Sequence, residues 1–208
     1  MLNKPKIAAK QLEQSVNQRK DFTKVTSSNS SSSRDSIFEF SSSGTKYKIK
    51  ADGAGTRGSA NLKSTKFNLK IANSDFIEAL SFLDFEDNIL LLANITDNEG
   101  SGGSVYSLRK TDSQIKWVAN IPGFNIGDVT IEDNHAYITA IGFISKLDLR
   151  SGKYIWKHTN LYQKDRAFGS FDRPKVQGKT VIFRGNSSDG VAPTNIVVDK
   201  ISGKIIAI

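Results

Sequence analysis

From Ser36 onward, apolar and polar residues alternate with the period of two that a half-buried strand requires. Ile37, Phe38 and Phe40, then Tyr47 and Ile49, predict two short strands around Ser41-Ser42-Ser43-Gly44. Gly53, Gly55 and Gly58 predict a turn-rich loop, and Phe67, Leu69 and Ile71 another strand. Residues 6–22 break the pattern with a helix-forming composition. Their apolar stripe of Ile7, Leu12 and Val16 is thin, so an isolated helix there is marginal. The run Ser-Ser-Asn-Ser-Ser-Ser-Ser at 27–33 has the composition of a flexible linker. No helical period follows residue 24 beyond a single turn at 74–80. The pattern predicts a flexible, Ser-rich segment over 1–33 ahead of an all-β body over 34–208.

The body repeats itself. Phe-Glu-Asp-Asn-Ile-Leu-Leu-Leu (85–92), Ile-Glu-Asp-Asn-His-Ala-Tyr-Ile (131–138) and Val-Gln-Gly-Lys-Thr-Val-Ile-Phe (176–183) each run apolar residue, polar turn, apolar strand. Asp-Asn and Gly-Lys tolerate positive φ, so each segment predicts a tight hairpin. A second element follows each: Ser-Leu-Arg-Lys-Thr-Asp-Ser-Gln-Ile-Lys-Trp (107–117), Lys-Leu-Asp-Leu-Arg-Ser-Gly-Lys-Tyr-Ile-Trp (146–156) and Val-Val-Asp-Lys-Ile-Ser-Gly-Lys-Ile-Ile-Ala (197–207). Two hairpins per unit make a four-stranded antiparallel sheet that cannot bury both faces alone, so the units must stack as blades. Repeats are expected over about 80–120, 121–160 and 161–208.

The shared Asp, followed four residues on by Gly-Lys and then by Trp, resembles the PQQ-like (quinoprotein-type) β-propeller repeat. The match is strong in the second repeat and fair in the third. It is weak in the first, which lacks the Asp and the Gly. The resemblance implies a small or partial β-propeller in which Trp117 and Trp156 wedge between neighbouring sheets. It also gives Asp148 and Asp199 a structural role, bonding backbone in the turn before the outer strand. Ala207 replaces the tryptophan in the third repeat, as in a terminal blade or in a chain whose further blades are missing. Three blades do not close a ring. A degenerate fourth blade from 36–76 is the favoured completion; the alternatives are an arc closed by a second copy, giving a homodimer, and an arc covered by the N-terminal strands.

The resemblance brings quinoprotein dehydrogenases to mind, but those chains are much longer and use a vicinal Cys pair with calcium ligands. This chain has no cysteine, so no cofactor is expected, and disulfides and thiol chemistry are excluded. The +8 net charge is concentrated: residues 1–34 carry seven basic and two acidic groups, leaving a net of only +3 for the remainder. A nucleic-acid groove across the body is therefore not expected. No run approaches the length of a membrane span, and the start lacks an apolar signal core. The compartment stays open, cytoplasmic or, behind a removed leader, periplasmic.

Asp97, Glu99 and Ser101 alternate as in a calcium loop but lack the distant bidentate Glu, so they read as a hairpin loop and only a weak metal candidate. Gly100, Gly102 and Gly103 do not open a helix, which argues against a phosphate cradle. His135 and His158 have no clustered carboxylate or nucleophile beside them in sequence. Repeat length varies at one place. The second repeat turns tightly at Ile141-Gly142-Phe143, whereas the first carries an insertion at 98–103 and the third at 186–193. Those hairpins and the long link from 157 to 173 should open on one face. The link holds His158, Tyr162, Lys164, Arg166, Phe168, Phe171 and Arg173, the aromatic and arginine mixture of protein interfaces. The expected function is a non-catalytic protein-binding module, of envelope-assembly or toxin-neutralising (immunity) type. The rival is a sugar-binding or hydrolytic propeller using carboxylates and aromatics on the same face.

Overall fold

The computed structural model describes residues 21–29, 36–52, 55–60, 65–69, 76–96, 101–123, 126–161, 168–187 and 193–208. All their regular structure is β. Two short strands come first, β1 (Thr23–Val25) and β2 (Ser27–Asn29). An N-terminal blade follows, built of β3 (Ser36–Ser42), β4 (Thr45–Asp52), β5 (Gly55–Ala60) and β6 (Thr65–Leu69). The first repeat forms β7 (Phe76–Phe85), β8 (Asn88–Thr96), β9 (Ser101–Arg109) and β10 (Ile115–Ile121). The second forms β11 (Thr130–Glu132), β12 (His135–Ala140), β13 (Phe143–Asp148) and β14 (Tyr154–His158). In the third, β15 (Phe168–Phe171) and β16 (Lys175–Gln177) both pair with β17 (Thr180–Ser187), followed by β18 (Thr194–Asp199) and β19 (Ile205–Ala207). Every strand pairing within the blades is antiparallel.

The region 36–69 is thus a four-stranded meander. Gly55–Ala60, expected as loop from its glycines, is a strand in its middle, because β4 and β6 supply ladder partners on both sides. Phe76–Leu80, expected as a helical turn, opens β7 instead, paired to β8. Two strands also fall inside the 1–33 segment expected to be flexible, the second of them in the Ser-rich run expected as a linker. β1 adds to the free edge of β7 and β2 to the free edge of β3.

Three apolar clusters join four sheets in sequence. Phe38, Tyr47 and Ile49 of the N-terminal blade meet Leu80, Leu91 and Tyr106 of the first repeat. Leu90, Leu92 and Val105 meet Ala136, Ile138 and Phe143 of the second. Tyr137, Ile144 and Trp156 meet Val181, Phe183 and Ile196 of the third. No cluster among the described residues joins the third repeat back to the N-terminal blade, so the sheets form an open arc of propeller-type blades. The sequence reflects this stacking. The first and second repeats are covered on both faces, and their inner strands Ile89–Ala93 and Ala136–Ala140 are continuously buried runs. At the N-terminal end one face is wet, and β4 alternates buried Tyr47, Ile49 and Ala51 with exposed lysines.

The signature residues form the joint between repeats. The Asp148 carboxylate accepts hydrogen bonds from the N–H groups of Arg150 (2.8 Å) and Ser151 (2.9 Å). Asp199 does the same for Ile201 (3.1 Å) and Ser202 (2.7 Å). The turn each aspartate ties ends on a left-handed glycine, Gly152 at φ 70° and Gly203 at φ 74°. On those bare backbones lie the tryptophans of the preceding blades. A Cβ on Gly152 would fall 2.4 Å from the Trp117 ring, and one on Gly203 2.5 Å from Trp156 Cγ. Trp117 Nε1 donates to Arg150 O (3.1 Å) and Trp156 Nε1 to Lys200 O (3.3 Å). Trp156 is buried and is ringed by Tyr137, His158 and Phe183. Each Asp–Gly turn is therefore the receptor for the tryptophan of the blade before it.

Candidate functional site

Strand order assigns different work to the two ends of the blades. Turns β3–β4, β7–β8, β11–β12, β13–β14, β16–β17 and β18–β19 all open at one end. Ser43-Gly44 and Asp133-Asn134 there have positive φ at both central residues, as two-residue hairpins require. Neighbouring blades are stitched together at this end. Ser42 hydrogen-bonds the Asp84 carboxylate, Arg150 pairs with Glu86 (2.8 Å), and Lys200 pairs with Glu132 (2.8 Å). The opposite end receives the connections from β8 to β9, β10 to β11, β14 to β15 and β17 to β18. The longest connections, 122–129 and 159–167, are among them, and the tight β12–β13 turn opens here too.

The carboxylates of the stitched end are tuned by it. Burial pushes Asp84 upward, but hydrogen bonds from Ser42 and Lys110 and the Lys110 charge outweigh it, leaving its pKa below the ordinary value. Burial likewise raises Asp148, and the N–H bonds from Ser151 and Arg150 overcome it, so it too titrates low. Burial holds Tyr154 up at about 12, with its hydroxyl donating to Asn120 O (2.7 Å). These groups are held by structural hydrogen bonds and do not line the cavity at the inner edges of the arc.

A cavity of about 350 Å³ opens elsewhere, along the inner edges of the arc, beneath residues 21–27. Asp21, Lys24, Glu78, Asp128 and Arg173 bring charge to it, and Phe22, Leu80, Leu92 and Val129 are among its apolar walls. Arg173 Nη2 donates to Val129 O (3.1 Å) and to the Asp21 carboxylate, joining the third repeat to the N-terminal segment. Its Nε is buried with no hydrogen-bond partner among the described residues. The volume lies at the lower end of ordinary ligand pockets. Among the described residues, no group of three or more His, Asp or Glu is arranged to hold a metal ion, and no helix is long and apolar enough to cross a membrane.

The residues singled out from sequence are dispersed. Tyr162, Lys164 and Arg166 lie outside the described residues, as do Asp97 and Glu99. Phe168 enters β15 opposite Ser187. Phe171 is buried in the cluster between the second and third repeats, which takes it off the surface a partner would touch. Arg173 faces the inner cavity. His158 sits on the outer strand β14, half-buried, with Nε2 2.7 Å from Gly203 O. His158, Phe171 and Arg173 therefore do not share one patch. Asp21 and Phe22 were missed altogether. The cue was an aromatic residue inside a polar stretch, followed by β-branched Thr23, Val25 and Thr26, directly after the helix-like composition ends.

No protein-family model matches this chain, and no curated protein matches it in sequence. Solved structures do. BamB from Moraxella catarrhalis is 17% identical with a TM-score of 0.44, over 89% of this chain and 51% of that one. The quinohemoprotein alcohol dehydrogenase ADHIIG from Pseudomonas putida HK5 is 15% identical with a TM-score of 0.39, over 60% of this chain and 19% of that one. A protein of unknown function from Bacteroides caccae is 9% identical with a TM-score of 0.36, over 90% and 93% of the two chains. This chain thus spans about half of BamB and about a fifth of the dehydrogenase.

Proposed function

We propose that this chain is a non-catalytic binding module built from quinoprotein-type repeats, and that it presents the long-connection end of its blades to another protein. The observation carrying this reading is the division between the two blade ends. One is consumed by hairpins, aspartate-tied turns and inter-blade ion pairs; the other receives the longest connections, among them 159–167 with Tyr162, Lys164 and Arg166. Such a surface serves an assembly factor of the bacterial envelope or a toxin-neutralising protein equally, since each needs only a complementary face. A sugar-binding or hydrolytic reading draws on one observation, the Glu78 and Asp128 carboxylates at the inner cavity.

Two charge-reversed variants separate these readings. Lys164→Glu with Arg166→Glu changes the long-connection end, and Lys153→Glu with Lys179→Glu changes the stitched end. Against a partner captured by the wild type and identified by mass spectrometry, only the first should lose binding, mainly through slower association and altered salt dependence. Both should melt with the wild type, because exposed charges add little stability. Full capture by the first variant, with loss on Glu78→Gln and Asp128→Asn, would move the site into the cavity.

A further inference from the structure

The inner edges of the arc are occupied by the chain's own residues 21–29, and the fit is incomplete in three respects. The ladder is short: β1 pairs with Leu80, Ser81 and Phe82 of the ten-residue β7, and β2 with Ser36, Ile37 and Phe38 of the seven-residue β3. The volume is not filled. The cavity of about 350 Å³ lies beneath residues 21–27, walled in part by buried Phe38, Leu80, Leu92 and Val129. The charge is half-matched. Arg173 Nη2 donates to the Asp21 carboxylate and to Val129 O, while its Nε is buried with no hydrogen-bond partner among the described residues. Nε and Nη2 share one edge of the guanidinium fork, which a carboxylate set squarely on it bridges with two hydrogen bonds. Asp21 takes one of the two, and a buried donor left unpaired is costly.

What residues 21–29 contribute is a pattern of anchors. Phe22 packs in the cluster between the first and second repeats, and Val25 in the cluster between the N-terminal blade and the first repeat. Residues three apart in an extended chain project to opposite sides, so the pair grips the inner edge of the first repeat from both faces, with Asp21 tied to the third repeat. Thr23, Lys24, Thr26 and Ser27 are exposed and contribute little burial. Strand addition takes affinity from main-chain bonds and selectivity from a few side-chain sites, so the same path is open to another extended segment with the same anchors. A segment that only closes the arc gains stability by filling the cavity and pairing Nε. One that is to be displaced stops short of both.

We propose that the inner groove of the arc is a binding site for an extended peptide segment of another protein, one carrying an acidic residue, an aromatic residue next to it and an aliphatic residue three further on, and that residues 21–29 hold the groove in cis until displaced. The site does not rest on a partner at the long-connection end. Fluorescence anisotropy of the acetylated peptide Asp-Phe-Thr-Lys-Val-Thr-Ser-Ser-Asn, labelled at its C-terminus, tests it on the full chain. The tethered copy competes at an effective concentration on the order of millimolar, so the wild type should bind the peptide weakly. Asp21→Asn/Phe22→Ser in the chain loosens that copy and should tighten peptide binding roughly tenfold, because the open groove is more populated. Asp21→Asn or Phe22→Ser in the peptide should weaken binding roughly tenfold each, the loss of one anchor, to the variant and to the wild type alike. Arg173→Lys added to the chain variant should narrow the gap between the acidic peptide and its Asp21→Asn form. Loss of folded chain would lower both equally and leave the gap intact. Equal binding of the three peptides, or no tightening in the chain variant, would overturn the proposal. So would a wild-type dimer in light scattering that the chain variant loses, which would assign the segment to exchange between two copies.

Discussion

Two junctions in this arc bury similar faces by different means. Between the second and third repeats, Trp156 lies on Gly203, held by an aspartate-tied turn and an indole hydrogen bond. Between the N-terminal blade and the first repeat there is no such latch. Phe40 stacks on Phe82 with centroids 4.5 Å apart and on Tyr47 at 5.1 Å, while Asp84 collects Ser42 and Lys110 (3.0 Å). The first repeat still folds the latch turn: Arg109 N to Gln114 O (2.9 Å) and Ser113 N to Arg109 O (2.8 Å) reproduce the bonds around Asp148 and Gly152. What it lacks is the glycine, and the N-terminal blade sends no tryptophan to need one. The third repeat is the mirror case, with a glycine that receives and an Ala207 that gives nothing. The signature is thus a contract between adjacent blades, and its two halves are lost separately at the two ends of the arc.

The largest effect expected is at the latched junction. Trp156→Ala should cost about 3–5 kcal/mol, the range for removing a large core aromatic. Gly203→Ala should also destabilise strongly, since the new Cβ meets Trp156 at 2.5 Å and the backbone is left-handed. The two should not add. With Trp156 already truncated, Gly203→Ala retains only its backbone strain, so a double-mutant cycle by denaturant unfolding should show strong coupling. Additive losses would mean that the glycine serves its turn alone.

That contract explains what could be read in advance. Asp148, Gly152 and Trp156 recur at fixed spacing because local turn chemistry and one inter-blade contact both act on them, and such residues leave a pattern in a single chain. The N-terminal blade was legible only as alternation, and its Gly55–Ala60 strand was hidden because the stabilising partners are β4 and β6, outside its own composition. Burial of Phe171 and the approach of Arg173 to Asp21 depend on residues over a hundred positions apart or on packing between sheets, so spacing does not carry them.

The N-terminal segment offers a second way to test the unlatched side. Residues 21–29 cross four sheets: Asp21 bonds Arg173, Phe22 packs in the cluster between first and second repeats, and β1 and β2 lie along β7 and β3. Deleting 1–20 should leave the melting temperature nearly unchanged. Deleting 1–29 removes two strands and a half-buried Phe, and should cost about 2 kcal/mol, or about 4–8 °C for a chain of this size. Equal melting temperatures for the two deletions would show that the segment merely rests on the arc.

The smallest effect is expected where the contract lapses. Ser113 occupies the glycine position of the first repeat at φ 58°, buried to 1% exposure, with no tryptophan above it. A left-handed L-residue costs about 1–2 kcal/mol, which Ser113→Gly relieves. Against that stand about 0.5–1 kcal/mol of extra unfolded-state freedom and the loss of a small buried side chain. The terms nearly cancel, so stability should move by less than about 1 kcal/mol either way. The same exchange in reverse, Gly152→Ser, drives a Cβ to 2.4 Å from Trp117 and should destabilise by clearly more than Ser113→Gly changes anything. Denaturant melts of the two variants compare one turn with and without a tryptophan to receive. If Gly152→Ser proves as mild as Ser113→Gly, the glycine is there for its φ alone, and the pairing of tryptophan with turn does not explain why the signature fades toward the N-terminal end.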